Sequence, residues 1–148
     1  MSKSSQSAMK TFMGRGAAVG QYGQIESMQW FPKFITTIVD RTLTAAESGS
    51  FIVNTAATEA EIILTLPAIA DGPWIFFCLN SADVTLTVTA ETADTLITFN
   101  NLAADGIAYS TSSEKIGGAF MVCSDGTSAW AVPMGVGGHI QTATVVDA

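Results

Sequence analysis

From Ile35 onward the apolar positions of this chain follow the period of β-strands. In residues 83–89, Asp-Val-Thr-Leu-Thr-Val-Thr, three aliphatics alternate with three threonines, so Val84, Leu86 and Val88 share one strand face and the hydroxyls occupy the other. Residues 61–66 repeat the device, with Ile62, Leu64 and Leu66 on one face. Residues 74–79, Trp-Ile-Phe-Phe-Cys-Leu, are apolar on both faces, which is the pattern of a central strand covered twice. Further strands are expected at residues 51–53, 95–99, 119–123 and 129–132.

Turn residues separate these runs. Asp71-Gly72-Pro73, Asn80-Ser81-Ala82-Asp83, Asp105-Gly106 and Asp125-Gly126 supply side chains that tolerate positive φ or preset a bend. Asp125-Gly126 gives the clearest hairpin signal, in a loop longer than two residues. Short connections imply antiparallel neighbours, and strands at intervals of roughly 8–12 residues imply a sandwich or barrel. The expected fold is therefore all-β, an antiparallel β-sandwich or barrel-like domain. One helical turn fits, Ala45-Ala46-Glu47-Ser48, bounded by Thr44 and Gly49.

The first 34 residues show neither a helical stripe nor strict alternation, and Gly14, Gly16, Gly20 and Gly23 weaken any regular element laid over them. Yet Phe12, Tyr22, Trp30 and Phe31 are large apolar groups that favour burial. Two readings stay open: a partner covers these side chains, or they fold back onto their own domain.

Charge changes the picture more than composition does. Only 13% of residues are charged against a usual ~25%, while the apolar share is 48%, so polarity rests on Thr, Ser, Asn and Gln. Such a surface is cheaply desolvated, which points to an oligomer. Five basic residues, among them Arg15, face two acids in the first 41 positions, a net +3; the remainder sets Lys115 against eleven carboxylates, a net −10. The organisation expected is an extended basic, aromatic-containing N-terminal arm over residues 1–41 and a β-rich body over 42–148. Such an arm either docks on an acidic neighbour or is a solvated leader.

Candidate chemistry is thin. His139 is the only histidine and lies in a glycine-rich segment, while Cys78 and Cys123 sit in strand-like apolar runs expected to point them into a core as thiols. One histidine and two distant cysteines lack the spacing of a zinc site. Asp71, Asp83, Asp94, Asp105 and Asp125 fall at turns or strand ends, where Asp serves the backbone. Gly14-Arg15-Gly16-Ala17-Ala18-Val19-Gly20 has the wrong spacing for a dinucleotide loop. No catalytic, cofactor or metal residue is expected. An acidic body with scattered basic residues argues against nucleic acid, and no apolar run approaches the ~20 residues of a membrane-spanning helix. Trp74 and Trp130 are expected in the core; Trp30 and Phe31, where arm meets body, are expected at an interface.

Several segments carry a resemblance. Leu43-Thr44-Ala45-Ala46-Glu47-Ser48-Gly49, Val53-Asn54-Thr55, Leu64-Thr65-Leu66-Pro67, Gly72-Pro73-Trp74-Ile75-Phe76, and Asp125-Gly126 with Trp130-Ala131-Val132 resemble the small β modules of tailed-bacteriophage head decoration (cement) proteins and tail fibres. The resemblance spans about the last two-thirds of the chain and leaves the first 41 residues unmatched. It implies a non-enzymatic virion protein, often a homotrimer, folded in the host cytoplasm and then bound to the major capsid protein or another virion protein at the capsid surface. The alternative is a tail fibre, spike or other adhesin-type carbohydrate-binding subunit. The arm residues expected at the partner interface are Phe12, Arg15, Tyr22, Trp30 and Phe31.

Overall fold

A strand with one apolar face needs a second sheet to cover it, and this chain provides one by crossing between two sheets after almost every strand. The computed structural model describes residues 32–134 and 142–147, together with the backbone of two short strands at 17–19 and 25–28. The arm residues Phe12, Arg15, Tyr22, Trp30 and Phe31, and His139, lie outside the described residues.

The chain divides into two units, Met1–Pro32 and Lys33–Ala148. In the first, β1 (Ala17–Val19) and β2 (Ile25–Met28) form an antiparallel ribbon whose register slips between Ala18 and Val19. In the second, the strands in chain order are β3 (Lys33–Thr37), β4 (Arg41–Thr42), β5 (Ser50–Asn54), β6 (Glu61–Thr65), β7 (Trp74–Asn80) and β8 (Thr85–Thr89). They continue as β9 (Leu96–Thr98), β10 (Asn101–Ala104), β11 (Gly106–Tyr109), β12 (Ala119–Ser124), β13 (Ala129–Pro133) and β14 (Thr144–Val146). One sheet has the order β10-β9-β13-β12-β7-β5-β3 and the other β14-β11-β8-β6-β4. β3 and β4 belong to these sheets, so the ladders begin within the stretch that charge groups with the arm.

The fold is all-β, as the periodicity requires, but the sheets are mixed and not purely antiparallel. β3, β5 and β7 run parallel in one sheet, and β4, β6 and β8 run parallel in the other. From β3 to β8 each connection leads to the opposite sheet, so the next strand of the same sheet arrives one full coil later and in the same direction. Three stacked coils result: β3-β4, β5-β6 and β7-β8. β11 then pairs antiparallel with β8, β12 with β7, and the hairpin at Asp125-Gly126 returns β13 onto β12.

Inward positions of both sheets meet in one core. Ile52, Phe76, Cys78, Phe120 and Val122 from the larger sheet and Leu64, Leu86, Val88, Ile107 and Tyr109 from the smaller are at most 1% exposed. Burying a side chain of this size contributes roughly 1.5–3 kcal/mol. Tyr109 stacks on Phe120 with ring centroids 4.5 Å apart and donates its hydroxyl to the Ala119 carbonyl at 3.2 Å. Gly118 leaves room for that ring, since a Cβ there would stand 2.5 Å from Tyr109 Cδ2.

Two polar residues hold the bends where the coils leave the larger sheet. Asn54 and Asn80 pair in register at the ends of β5 and β7, at 0% and 2% exposure. Asn54 Nδ2 donates to Asn80 Oδ1 at 2.9 Å, and Asn54 Oδ1 accepts the Ala56 N–H at 2.9 Å. Asn80 Nδ2 donates to the carbonyls of Val84 at 2.8 Å and Lys115 at 3.0 Å. Bends that would otherwise bury unsatisfied backbone groups are thereby closed.

The opposite bend, from β4 to β5, is the 3-10 turn Ala45–Glu47, one turn where the sequence calls for it. Leu43 is buried, and Glu47 Oε2 accepts the Thr44 N–H at 3.0 Å and the Thr44 hydroxyl at 3.1 Å. Arg41 pairs with the other Glu47 oxygen. Gly49 takes φ +86° and donates its N–H to the Ile75 carbonyl at 2.7 Å, which fastens this turn to the next coil. Partial burial raises the Glu47 carboxyl, but hydrogen bonds from Thr44 and Arg41 outweigh it and hold the group below its ordinary 4.5.

Two outcomes are expected. Asn80→Ala strands the Asn54 amide and two carbonyls and should lower the unfolding free energy by about 3 kcal/mol in urea titrations. Because folding lowers the Glu47 pKa, its stabilisation is present above about pH 4.5 and disappears as pH falls through the lower folded-state value. Glu47→Gln should therefore melt below wild type at pH 7, by less than about 1 kcal/mol because solvent still reaches this part-buried pair and screens it, and the two proteins should converge in acid.

Candidate interaction face

Outward positions of the larger sheet form three rows across the strands. The first runs Phe34, Phe51, Phe77, Met121, Val132 in register from β3 to β13. Within it the rings of Phe34, Phe51 and Phe77 stack with centroids 4.9 Å apart at both steps and interplanar angles of 14° and 19°. The second row is Ile75, Cys123, Trp130 and Ile97, and the third is Thr36, Val53, Leu79 and Ala119. None of these positions carries a charge, and Thr36 alone is polar.

The outer face of the smaller sheet is more polar, although Thr87 and Ala108 on it are each only 4% exposed. Its outward positions include Thr42, Thr65 and Thr89 in one row and Ile63, Thr87 and Ala108 in another. Glu61 stands beside them and accepts a hydrogen bond from the Thr87 hydroxyl. A half-solvated sheet alternates apolar and polar positions in this way; the larger sheet is apolar on both faces.

Two expectations need correction. Trp74 is buried at 3% exposure, but Trp130 points outward, half-buried, and Cys78 is buried while Cys123 lies on the outer face beside Trp130. β12 and β13 are apolar on both sides, so composition does not reveal which face of either strand turns to the core. Burial pushes the Cys78 thiol up to about 12. Burial first, and the Asp125 carboxylate after it, also raise the Cys123 thiol. Neither is a ready nucleophile.

Next to the second row lies a shallow groove lined by Ile97, Phe99, Trp130 and Val132, with Phe99 exposed at 51%. Of the turn aspartates, Asp125 and Asp94 serve the backbone. Asp125 Oδ1 accepts the N–H groups of Thr127 and Ser128, both at 2.8 Å, and this lowers its pKa. Asp94 accepts the Ile69 N–H at 2.7 Å. Among the described residues no group of three His, Cys, Asp or Glu side chains is placed to hold a metal ion, and no helix is long and apolar enough to cross a membrane.

The aromatic ladder escaped the reading of the sequence. Its signal is there: Phe34-Ile35-Thr36-Thr37, Phe51-Ile52-Val53-Asn54 and Phe77-Cys78-Leu79-Asn80 repeat an aromatic followed three places later by Thr or Asn. The repeats are unevenly spaced, so no fixed period betrays them.

Together these features define an all-β protein of two mixed sheets, coiled at one end and closed by antiparallel strands at the other. No protein-family model, curated protein or solved structure matches the chain.

With thiol reagent at pH 8, the native protein should modify Cys123 slowly and Cys78 only after denaturant is added. Mass mapping that finds Cys78 labelled first would contradict the assignment of faces.

Proposed function

We propose that this chain is a non-enzymatic structural protein of a tailed-bacteriophage virion, a capsid decoration or cement protein that binds the outer head surface and stabilises it. The observation that carries this reading is the charge-free apolar face of the larger sheet. A domain with a net charge of −10 over residues 42–148 repels its own copies everywhere except where charge is missing. Such a face suits association into a homotrimer and burial against other virion proteins, where desolvating threonine and hydrocarbon costs little.

The segments resembling phage β modules support the same reading. Residues 43–49 build the turn between β4 and β5, and Asp125-Gly126 turns β12 into β13. In the proposed assembly the arm lies across the shell or a neighbouring subunit. A net charge of +3 over 41 residues is too little to hold it, because counterions screen exposed charge beyond ~8 Å at physiological salt. Charge, including Arg15, steers the arm, and burial of Phe12, Tyr22, Trp30 and Phe31 retains it.

A second reading, a tail fibre, spike or other adhesin-type carbohydrate-binding subunit, is favoured by the stacking of the three coils and by the groove beside Trp130. Imaging of labelled protein on purified virions separates the two: signal spread over the head supports decoration, and signal confined to the tail supports the fibre. On heads depleted of the protein, Ala at Phe12, Tyr22, Trp30 or Phe31 should reduce co-sedimentation at least tenfold, whereas Ala at Lys3 or Lys10 should reduce it less. Sedimentation that finds only monomer at high concentration would refute the trimer.

A further inference from the structure

We infer that the open edge of β3 accepts one more rung: an extended strand of another polypeptide, parallel to β3, with an aromatic residue over Phe34 and basic residues beyond Thr37. This goes beyond the virion reading, since a decoration protein and a fibre subunit could both use it.

Three observations converge on that edge. Among the described residues β3 is the last strand of its sheet, and it keeps unbroken parallel register with β5 from Lys33↔Ser50 to Thr37↔Asn54. The two features repeated from coil to coil both end there: the stacked rings at Phe34, and the Thr/Asn positions at Thr37. The third is composition. Stacked repeat proteins normally close with a polar cap, and edge strands are normally blunted by charge, proline or a bulge. Here Phe34, Ile38 and Val39 are exposed at 61%, 61% and 60%, and the strand's only charge is Lys33 at its start.

The chemistry of the occupant follows from the bend after Thr37. Val39 and Ile62 line a groove there with Asp40, Glu59 and Glu61, all three carboxylates exposed. A second copy pairing through its own β3 across a two-fold axis would run antiparallel and lose the parallel register repeated from coil to coil. A strand whose own bend carries Lys or Arg would meet these acids favourably. Main-chain hydrogen bonds to β3 supply affinity, and the ring over Phe34 with the basic bend sets register and direction.

The probe is a fluorescent peptide with the sequence of residues 48–57, Ser-Gly-Ser-Phe-Ile-Val-Asn-Thr-Ala-Ala, extended by two C-terminal lysines. In the protein this segment already lies parallel on the other side of β3. Anisotropy titration of the full chain should saturate. Affinity should fall at least tenfold for the peptide with Phe→Ser, and also for the protein variant Phe34→Ser at unchanged circular dichroism. It should fall with rising salt, and with glutamates in place of the two lysines. The peptide-side change decides the matter even if Phe34→Ser disturbs the fold. Absence of saturable binding, equal affinity for the Phe→Ser peptide, or preference for the glutamate peptide would overturn the inference. So would self-association of the full chain that Phe34→Ser abolishes while the peptide fails to bind, since the edge would then belong to a second copy.

Discussion

A chain that changes sheets after almost every strand must bury its bends, and a buried bend exposes backbone groups that no ladder can satisfy. The Asn54–Asn80 pair answers that constraint. Each side chain lies at the end of a strand, and together they use donors and acceptors to close two successive exits from the larger sheet. Once the bends are closed, β5 and β7 are held in register, and the rings of Phe51 and Phe77 fall one over the other on the outer side. The turn at residues 44–49 does the corresponding work on the opposite side through Glu47 and Gly49, with backbone and side-chain hydrogen bonds in place of a buried amide pair.

Parallel stacking has consequences for assembly. An antiparallel hairpin sheet can pair sequential strands and leave one face wet, whereas coils repeat the same residue type at the same height. Here the repetition produces an aromatic row on one outer face and a threonine row on the other. The two outer faces therefore differ in chemistry: the smaller sheet carries threonine hydroxyls, one of them buried against Glu61, and the larger carries hydrocarbon. Low charge density makes the second side usable as an interface, because no buried ion has to be neutralised on association.

The coil architecture also explains why the two ends of the body differ. Antiparallel strands β11, β12 and β13 close one end, so its ladder groups are satisfied by neighbours. At the other, β3 repeats the inner rungs with no further strand on it among the described residues, and its apolar bend leads into the exposed carboxylates of Asp40, Glu59 and Glu61.

Much of this was legible in the residues. Alternation alone placed Val84, Leu86, Val88, Ile62 and Leu64 in the core and the β8 threonines on the other face, because the period of a strand is fixed at two. Thr44 and Gly49 marked a single turn, and Asp125-Gly126 marked the hairpin, because those φ angles and side-chain acceptors are local properties. Direction and face were not local. Whether a short connection returns to its own sheet or crosses to the other depends on what covers the strand, so the parallel pairs could not be read from loop length. β12 and β13 are apolar on both sides, so only packing decided that Trp130 and Cys123 face outward while Phe120 and Val122 face the core. Sequence marked β5 to β9, β12 and β13 and the bends beside them but not β3, β4, β10, β11 or β14; tertiary structure decided those pairings and how the strands stack, because stacking depends on residues far apart in the chain meeting at one height.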